Sequence, residues 1–586
     1  MINLKNLLGK IYNLISEYES SKTLVVPGPK KTMTKMKYRK RNILRNLMLI
    51  SFLAATCVSF ADNYPKNPNI DIVHYTFDIT LTDETDLIKA TATLLVKFKT
   101  NGIKTLRLDL INKSDKLANK GMLVKQILSQ GKALLYSHDS DVLLIDLPNI
   151  MANEELSITI EYEGIPNEGL KIGPNKYGDR TFFSDNWPNK ARNWLPTVDH
   201  PYDKASCEFI VTAPLKYQVV SNGLKVEESI LANGQRLTHW KQSVPIACWL
   251  YALGVAEFAV QYVDTFNGKS IQTWVYKQDR VNGFYDFAIP TKQALEFFSS
   301  YVGPFAYEKL ANIQSNSVGG GMEAASAIFY GDKSVDGNRS IRWRNVVIHE
   351  IAHQWFGNAV TEYDWDDVWL SEGLTTYFTM RFIKHAYGED AFKEELKKAR
   401  ATVFKLSHNN EDYRIVHDNL SDMKNVSSGL TYQKGAWITH MICNYVGEEA
   451  FQQGIRDYYQ RYYNGNATTM DLRMALESAS GKDLNPLFNQ WLFQGGNIHL
   501  KGTWSYDSKN KLIDIELTQT QPEKFTFDMP LELAILTQDN NTINKEIIQL
   551  SKRKIKVSIP CESEPSNILL DPETKLLAQW DFTRKN

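Results

Sequence analysis

The sequence predicts a multidomain α+β protein, with strands at both ends and helices between. Three observations carry this. The chain has 586 residues, too many for one hydrophobic core. Apolar and polar residues alternate, with the period of a half-buried strand, over much of 62–262 and again over 498–586. Over 263–497 the apolar residues recur at helical spacing instead. The expected division is a targeting segment at 1–61, an N-terminal β-domain at 62–262, a mostly helical domain at 263–497 and a small C-terminal β-domain at 498–586.

The targeting segment has a basic run from Lys35 to Arg45, then an apolar run from Leu47 to Val58 that ends in Ser59-Phe60-Ala61. Basic start, short apolar middle and small residues at the end make a secretory signal. The apolar run is shorter than a bilayer needs, so no transmembrane span is expected in the mature protein. The expectation is a secreted or periplasmic protein beginning near Asp62. Met33 or Met36 is a more usual signal start than Met1. Cys57 offers a lipid anchor as the alternative, although Thr56 before it makes a poor lipobox; a buried helix is the plain alternative to both.

In the N-terminal domain, Asp71 to Ile79, Ala90 to Phe98, Thr105 to Leu110, Val142 to Leu147 and Leu156 to Tyr162 read as strands with polar turns between them. Glu208 to Ala213 and Tyr217 to Ser221 continue the pattern. In the middle, Pro290 to Tyr301 is amphipathic. Ile341, Val347, Ile348, Ile351, Ala352 and Trp355 make the next helix a buried one. Asp366 to Ala386 reads as another, with Asp366 or Asp367 as N-cap. Tyr432 to Val446, Glu448 to Tyr463, Met470 to Ser480 and Leu484 to Phe493 come next, and Gly495-Gly496-Asn497 is a stop. Leu512 to Thr518, Leu531 to Leu536 and Ile555 to Ile559 return to strand.

Lys plus Arg and Asp plus Glu both number 67, so no charge balance favours a nucleic-acid partner. Beyond the targeting segment the cysteines are Cys207, Cys248, Cys443 and Cys561, with no CxxC pair, so they are not a metal site. Cys443 reads as core. Cys207 and Cys248 fall in strands of one domain, and the sequence leaves open whether they pair.

The chemistry is concentrated in His349-Glu350-Ile351-Ala352-His353 and in Glu372 of Trp369-Leu370-Ser371-Glu372-Gly373. Residues four apart share a helix face, so His349 and His353 aim at one point and Glu350 flanks it. Two His and one carboxylate form a ligand set of catalytic zinc with the fourth position open, and the flanking Glu suits a general base. A polar patch on an ordinary helix is the alternative. A buried helix argues against it, because unpaired buried charge is costly.

Taken with Gly320-Gly321-Met322-Glu323, Tyr432-Gln433-Lys434-Gly435-Ala436 and Ala191-Arg192-Asn193-Trp194-Leu195-Pro196, the chain resembles the zinc aminopeptidases related to aminopeptidase N and leukotriene hydrolase (gluzincins). Asp203-Lys204-Ala205 and Val220-Ser221-Asn222-Gly223 are similar to that family's N-terminal domain. The resemblance implies a saddle-shaped β-domain, a thermolysin-like catalytic domain and a β-sandwich, without the large helical fourth domain. It implies one Zn2+ per chain held by His349, His353 and Glu372, with Glu350 as general base and Tyr432 as hydrogen-bond donor to the oxyanion. Core packing is the plain alternative for Tyr432. Glu323 would grip the free α-amine of a peptide, while Gly319, Gly320, Gly321 and Met322 hold its extended backbone.

Two positions depart from the family. Ala324 stands where Asn is usual after that Glu, and Trp187 stands where a Gln or Glu helps to bind the amine, with Asp185 close by. Amine recognition would then rest more on Glu323, and the first specificity pocket would be narrower or more aromatic. The rival readings are a thermolysin-type zinc endopeptidase, an epoxide hydrolase that also acts on peptides, and an inactive peptide-binding scaffold. The last has no physical use for Glu350. Oligomeric state and the preferred N-terminal side chain stay open at this point.

Overall fold

The computed structural model describes residues 62–288, 290–417, 420, 422–536 and 542–585; the targeting segment and Cys57 lie outside them. At the N-terminal end an eight-stranded sheet is built around Ile70–Thr80, antiparallel to Ile88–Phe98 and parallel to Lys204–Pro214. In Ile88–Phe98 every second residue from Ile88 to Phe98 is buried, the period that made it legible as a strand. A four-stranded sheet that includes Arg180–Ser184, Gln218–Ser221 and Leu253–Ala256, and a three-stranded one, complete the β-rich region.

The middle region is not helical from its start. A five-stranded sheet runs in the order Phe258–Phe266, Lys269–Tyr276, Lys309–Ser315, Ala327–Gly331, Gly321–Met322. The expected boundary at 262 falls inside its first strand, which pairs antiparallel with Lys269–Tyr276 and so belongs to the middle region. The inner strands escaped the sequence reading for a physical reason. Lys309–Ser315 is parallel to both neighbours and buried at every residue; Ala327–Gly331 is also buried throughout. Strands covered on both faces show no period of two.

The described residues of this region hold nine α-helices: α1 (Arg280–Phe287), α2 (Thr291–Tyr301), α3 (Ile341–Ala352), α4 (Trp369–Tyr387), α5 (Glu389–Ser407), α6 (Gly429–Val446), α7 (Glu448–Arg461), α8 (Thr469–Ser480) and α9 (Asn485–Trp491). Two details differ from expectation. Ile341 is exposed, and the buried part of α3 begins at Trp343. Asp366 and Asp367 sit in a 3-10 turn and do not cap α4. Their carboxylates have tertiary partners instead: Asp366 accepts from the Leu420 N–H at 2.8 Å and Asp367 from the Thr469 hydroxyl at 2.5 Å.

The C-terminal region has a four-stranded sheet centred on Leu512–Gln519 and Ile498–Asp507, and a three-stranded one centred on Pro530–Leu536. Cys207 and Cys248 are free buried thiols and do not pair; the Cys248 thiol donates to the Val198 carbonyl at 3.3 Å. No helix among the described residues is long and apolar enough to cross a membrane.

Candidate active site

Helix α3 and the start of α4 bring three ligand atoms together. The Nε2 atoms of His349 and His353 are 3.1 Å apart. Glu372 Oε2 lies 3.4 Å from the first and 3.2 Å from the second. Donors about 2.0–2.1 Å from a tetrahedral zinc ion would stand about 3.3 Å from one another, so the spacing fits. His353 Nδ1 is 3.0 Å from the Phe356 carbonyl. A carbonyl only accepts, so Nδ1 carries the proton and Nε2 faces the shared point. The hydroxyls of Ser371 (3.2 Å) and Thr375 (3.1 Å) reach the same Nδ1. Glu372 Oε2 is buried with no hydrogen-bond partner among the described residues, an arrangement that a cation relieves. These residues therefore fit zinc.

Tyr432 reaches the site because two helices cross closely. Gly373 on α4 faces Gly435 on α6, and a Cβ on either would meet the other's Cα at 2.9–3.0 Å. With both bare, the Tyr432 hydroxyl donates to Glu372 Oε1 at 2.6 Å, and its ring stacks on His349. Burial, and then the charge of Glu372, push the phenol well above its ordinary range, so it stays protonated and able to donate.

The acids Glu323 and Glu350 come from two different elements, the sheet edge and α3. Gly321–Met322 is the edge strand of the five-stranded sheet, and Glu323 comes directly after it. Oxygens of Glu323 and Glu350 and a nitrogen of His353 all lie within 4.8 Å of one another. Glu323 Oε1 is buried without a hydrogen-bond partner among the described residues, 3.9 Å from His353 Nε2. Burial pushes Glu323 up to about 7, against the pull of His353. Burial, then the charge of Glu323, holds Glu350 well above the carboxylate range. Gly319 and Gly320 have open space where a side chain would stand, while a Cβ on Gly321 would lie 2.2 Å from Glu350 Oε1. Gly321→Ala should therefore displace the whole Glu350 side chain, because its Cδ (2.3 Å) and Cγ (2.4 Å) would be met as well. It should lower kcat about tenfold or more, since small misplacements of a reacting group are expensive. Thermal melts beside initial rates check this, and an unchanged kcat would mean that Glu350 tolerates displacement.

Trp187 packs against Trp365, ring centroids 6.0 Å apart, and Asp185 pairs with Lys190 at 3.2 Å. The sequence reading missed the Phe356 carbonyl and the hydroxyls of Ser371 and Thr375 behind His353; nothing in a single sequence marks a backbone carbonyl as a partner. Asp62, His200 and Asp364 also converge, but the Lys66 ammonium lies among them, 3.0 Å from Asp62. That cluster has its own cation.

The chain is similar to known proteins in sequence and in fold. Residues 287–491 match the peptidase family M1 domain, and residues 72–250 match the peptidase M1 N-terminal domain. Glutamyl aminopeptidase of Rattus norvegicus is 27% identical over 439 residues, 69% of this chain and 46% of that protein. Puromycin-sensitive aminopeptidase of Caenorhabditis elegans is 25% identical over 496 residues, 79% of this chain and 49% of that protein. The chain thus spans about half the length of these relatives. In fold it is similar to the crystal structure of Legionella pneumophila aminopeptidase A in complex with aspartic acid, with a TM-score of 0.74 at 19% identity, covering 89% of this chain and 60% of that one.

Proposed function

The chain belongs to the peptidase M1 family, and from that premise we propose that it is a zinc-dependent aminopeptidase, removing N-terminal residues from peptides. The single observation that carries this reading is the free, buried oxygen of Glu323 beside the metal-facing nitrogen of His353. A carboxylate oxygen held there without a donor among the described residues suits a peptide's ammonium group. A thermolysin-type endopeptidase, whose substrates present no ammonium at the cut, has no use for it.

His349, His353 and Glu372 would hold the metal. Bound zinc would supply a Lewis acid that polarises the scissile carbonyl and lowers the pKa of the attacking water. Glu350 takes the proton from that water and passes it to the leaving amine. The Tyr432 hydroxyl turns its hydrogen bond from Glu372 to the oxyanion as charge develops there. Gly319 and Gly320 leave room for the substrate backbone along the edge strand Gly321–Met322, and Glu323 fixes its first residue. In this reading the β-rich region is the saddle-shaped domain, the catalytic domain is thermolysin-like and begins at the Phe258 strand, and the two C-terminal sheets form a sandwich. The basic and apolar run before Asp62 supports export to the periplasm or beyond.

The test is the substrate's own amine. A charge-assisted contact contributes about 1.5–3 kcal/mol, or roughly ten- to a hundredfold in kcat/KM. Acetylating a peptide's N-terminus should remove most activity, and Glu323→Ala should harm free-amine peptides far more than blocked ones. Equal cleavage of free and acetylated peptides by the unmodified enzyme would hand the site to the endopeptidase reading.

A further inference from the structure

Glu323 Oε1 has no hydrogen-bond partner among the described residues; the backbone behind the carboxylate is what the fold holds. The Glu323 carbonyl accepts from two side-chain amides, Gln354 Nε2 at 3.1 Å and Asn358 Nδ2 at 2.7 Å. Gln354 and Asn358 are both fully buried, and both lie just beyond His353. Gln354 does more than this. Its Nε2 also donates to the Glu350 carbonyl at 3.2 Å, and its Oε1 accepts from the Ser326 N–H at 3.0 Å. One side chain thus grips the turn 323–326 at both ends and joins it to the helix that carries Glu350. Ser326 is held at φ +62°, a conformation a non-glycine residue keeps only where its surroundings dictate it.

Each tie is anchored in turn. The backbone carbonyl of Asn358 accepts from Lys204 Nζ and from the Thr361 hydroxyl, both at 3.0 Å. From the N-terminal region, Asn222 Nδ2 donates to the Ala325 carbonyl at 2.6 Å and the Gly223 N–H donates to the Ser326 hydroxyl at 2.8 Å. A carbonyl has two lone pairs, and at Glu323 both are taken by amides whose positions are set by the metal-binding segment.

We propose that Gln354 and Asn358 are positioning residues: by sharing the Glu323 carbonyl, their amides set the distance between the amine-binding carboxylate and the face formed by Glu350 and His353. This rests on Glu323 being the group that binds the substrate's amine. A role in fold stability alone would weaken every substrate equally; a positioning role acts only on substrates that use Glu323.

The test uses Asn358→Asp and Gln354→Glu, which keep size but replace the donating amide with an acceptor. Matched free-amine and N-acetylated peptides are the substrates, with zinc content and thermal stability measured beside the rates. Zinc should be retained. For the free-amine peptide KM should rise and kcat/KM should fall about tenfold or more, while the slow cleavage of the acetylated peptide changes less than about twofold, so the ratio of the two collapses. In the Glu323→Ala background the same substitutions should add almost nothing, since groups acting through one another are not additive. Equal loss on both peptides, or full additivity with Glu323→Ala, overturns the proposal. Should Asn358→Asp fail to fold, Asn358→Ser makes a smaller change and carries the same readout. A wild-type ratio near one would sink the amine-binding reading itself; a large wild-type ratio that survives both substitutions would sink only the positioning role.

Discussion

Glu350→Gln should keep its metal and lose turnover by about 10²-fold or more, the usual scale of a lost general base. The geometry separates it from the ligands. The three convergent atoms belong to His349, His353 and Glu372, while the Glu350 carboxylate lies against Gly321. His349→Ala and Glu372→Ala should instead lose metal and activity together, because each removes one corner of the ligand set. Metal analysis of each purified variant beside its kcat checks the contrast. Near-full turnover in Glu350→Gln would show that another group carries the proton.

Tyr432→Phe should lower kcat by about 10²–10³-fold, the scale for loss of one oxyanion donor. KM should change little, because the hydrogen bond gained from Tyr432 strengthens only in the transition state. Its present partner, Glu372 Oε1 at 2.6 Å, keeps the hydroxyl beside the metal-binding atoms without making it a ligand, so metal content should be preserved. Steady-state rates on a free-amine peptide test it. An unchanged kcat would reduce Tyr432 to a ring packed on His349 within the core.

What the sequence disclosed depended on how each residue is constrained. His349 and His353 were legible because helical spacing alone puts two ligands on one face. Glu372 and Tyr432 lie on other helices: Glu372 was legible as the carboxylate of a zinc ligand set, and only the family resemblance brought in Tyr432; their meeting rests on the bare crossing of Gly373 and Gly435. Ile88–Phe98 showed itself as a strand because one face is buried and the other is not. Lys309–Ser315, buried throughout, carries no such alternation, and the start of the middle region was therefore misread. The N-cap assigned to Asp366 or Asp367 failed because tertiary donors claimed both carboxylates, a competition that local pattern does not reveal. The amides of Gln354 and Asn358 were invisible for a related reason. Their partner is a backbone carbonyl, and any residue supplies one.

Cutting from a free N-terminus and dependence on a metal can be read out in one experiment. Mass spectrometry of the products from one unblocked peptide, incubated with zinc-loaded enzyme and with chelator-treated enzyme, tests both parts together. Stepwise loss of single N-terminal residues is expected from the zinc-loaded sample and no cleavage after chelation, with activity returning when zinc is restored. Fragments from internal cuts, or undiminished cleavage by the chelated enzyme, would contradict the proposed function.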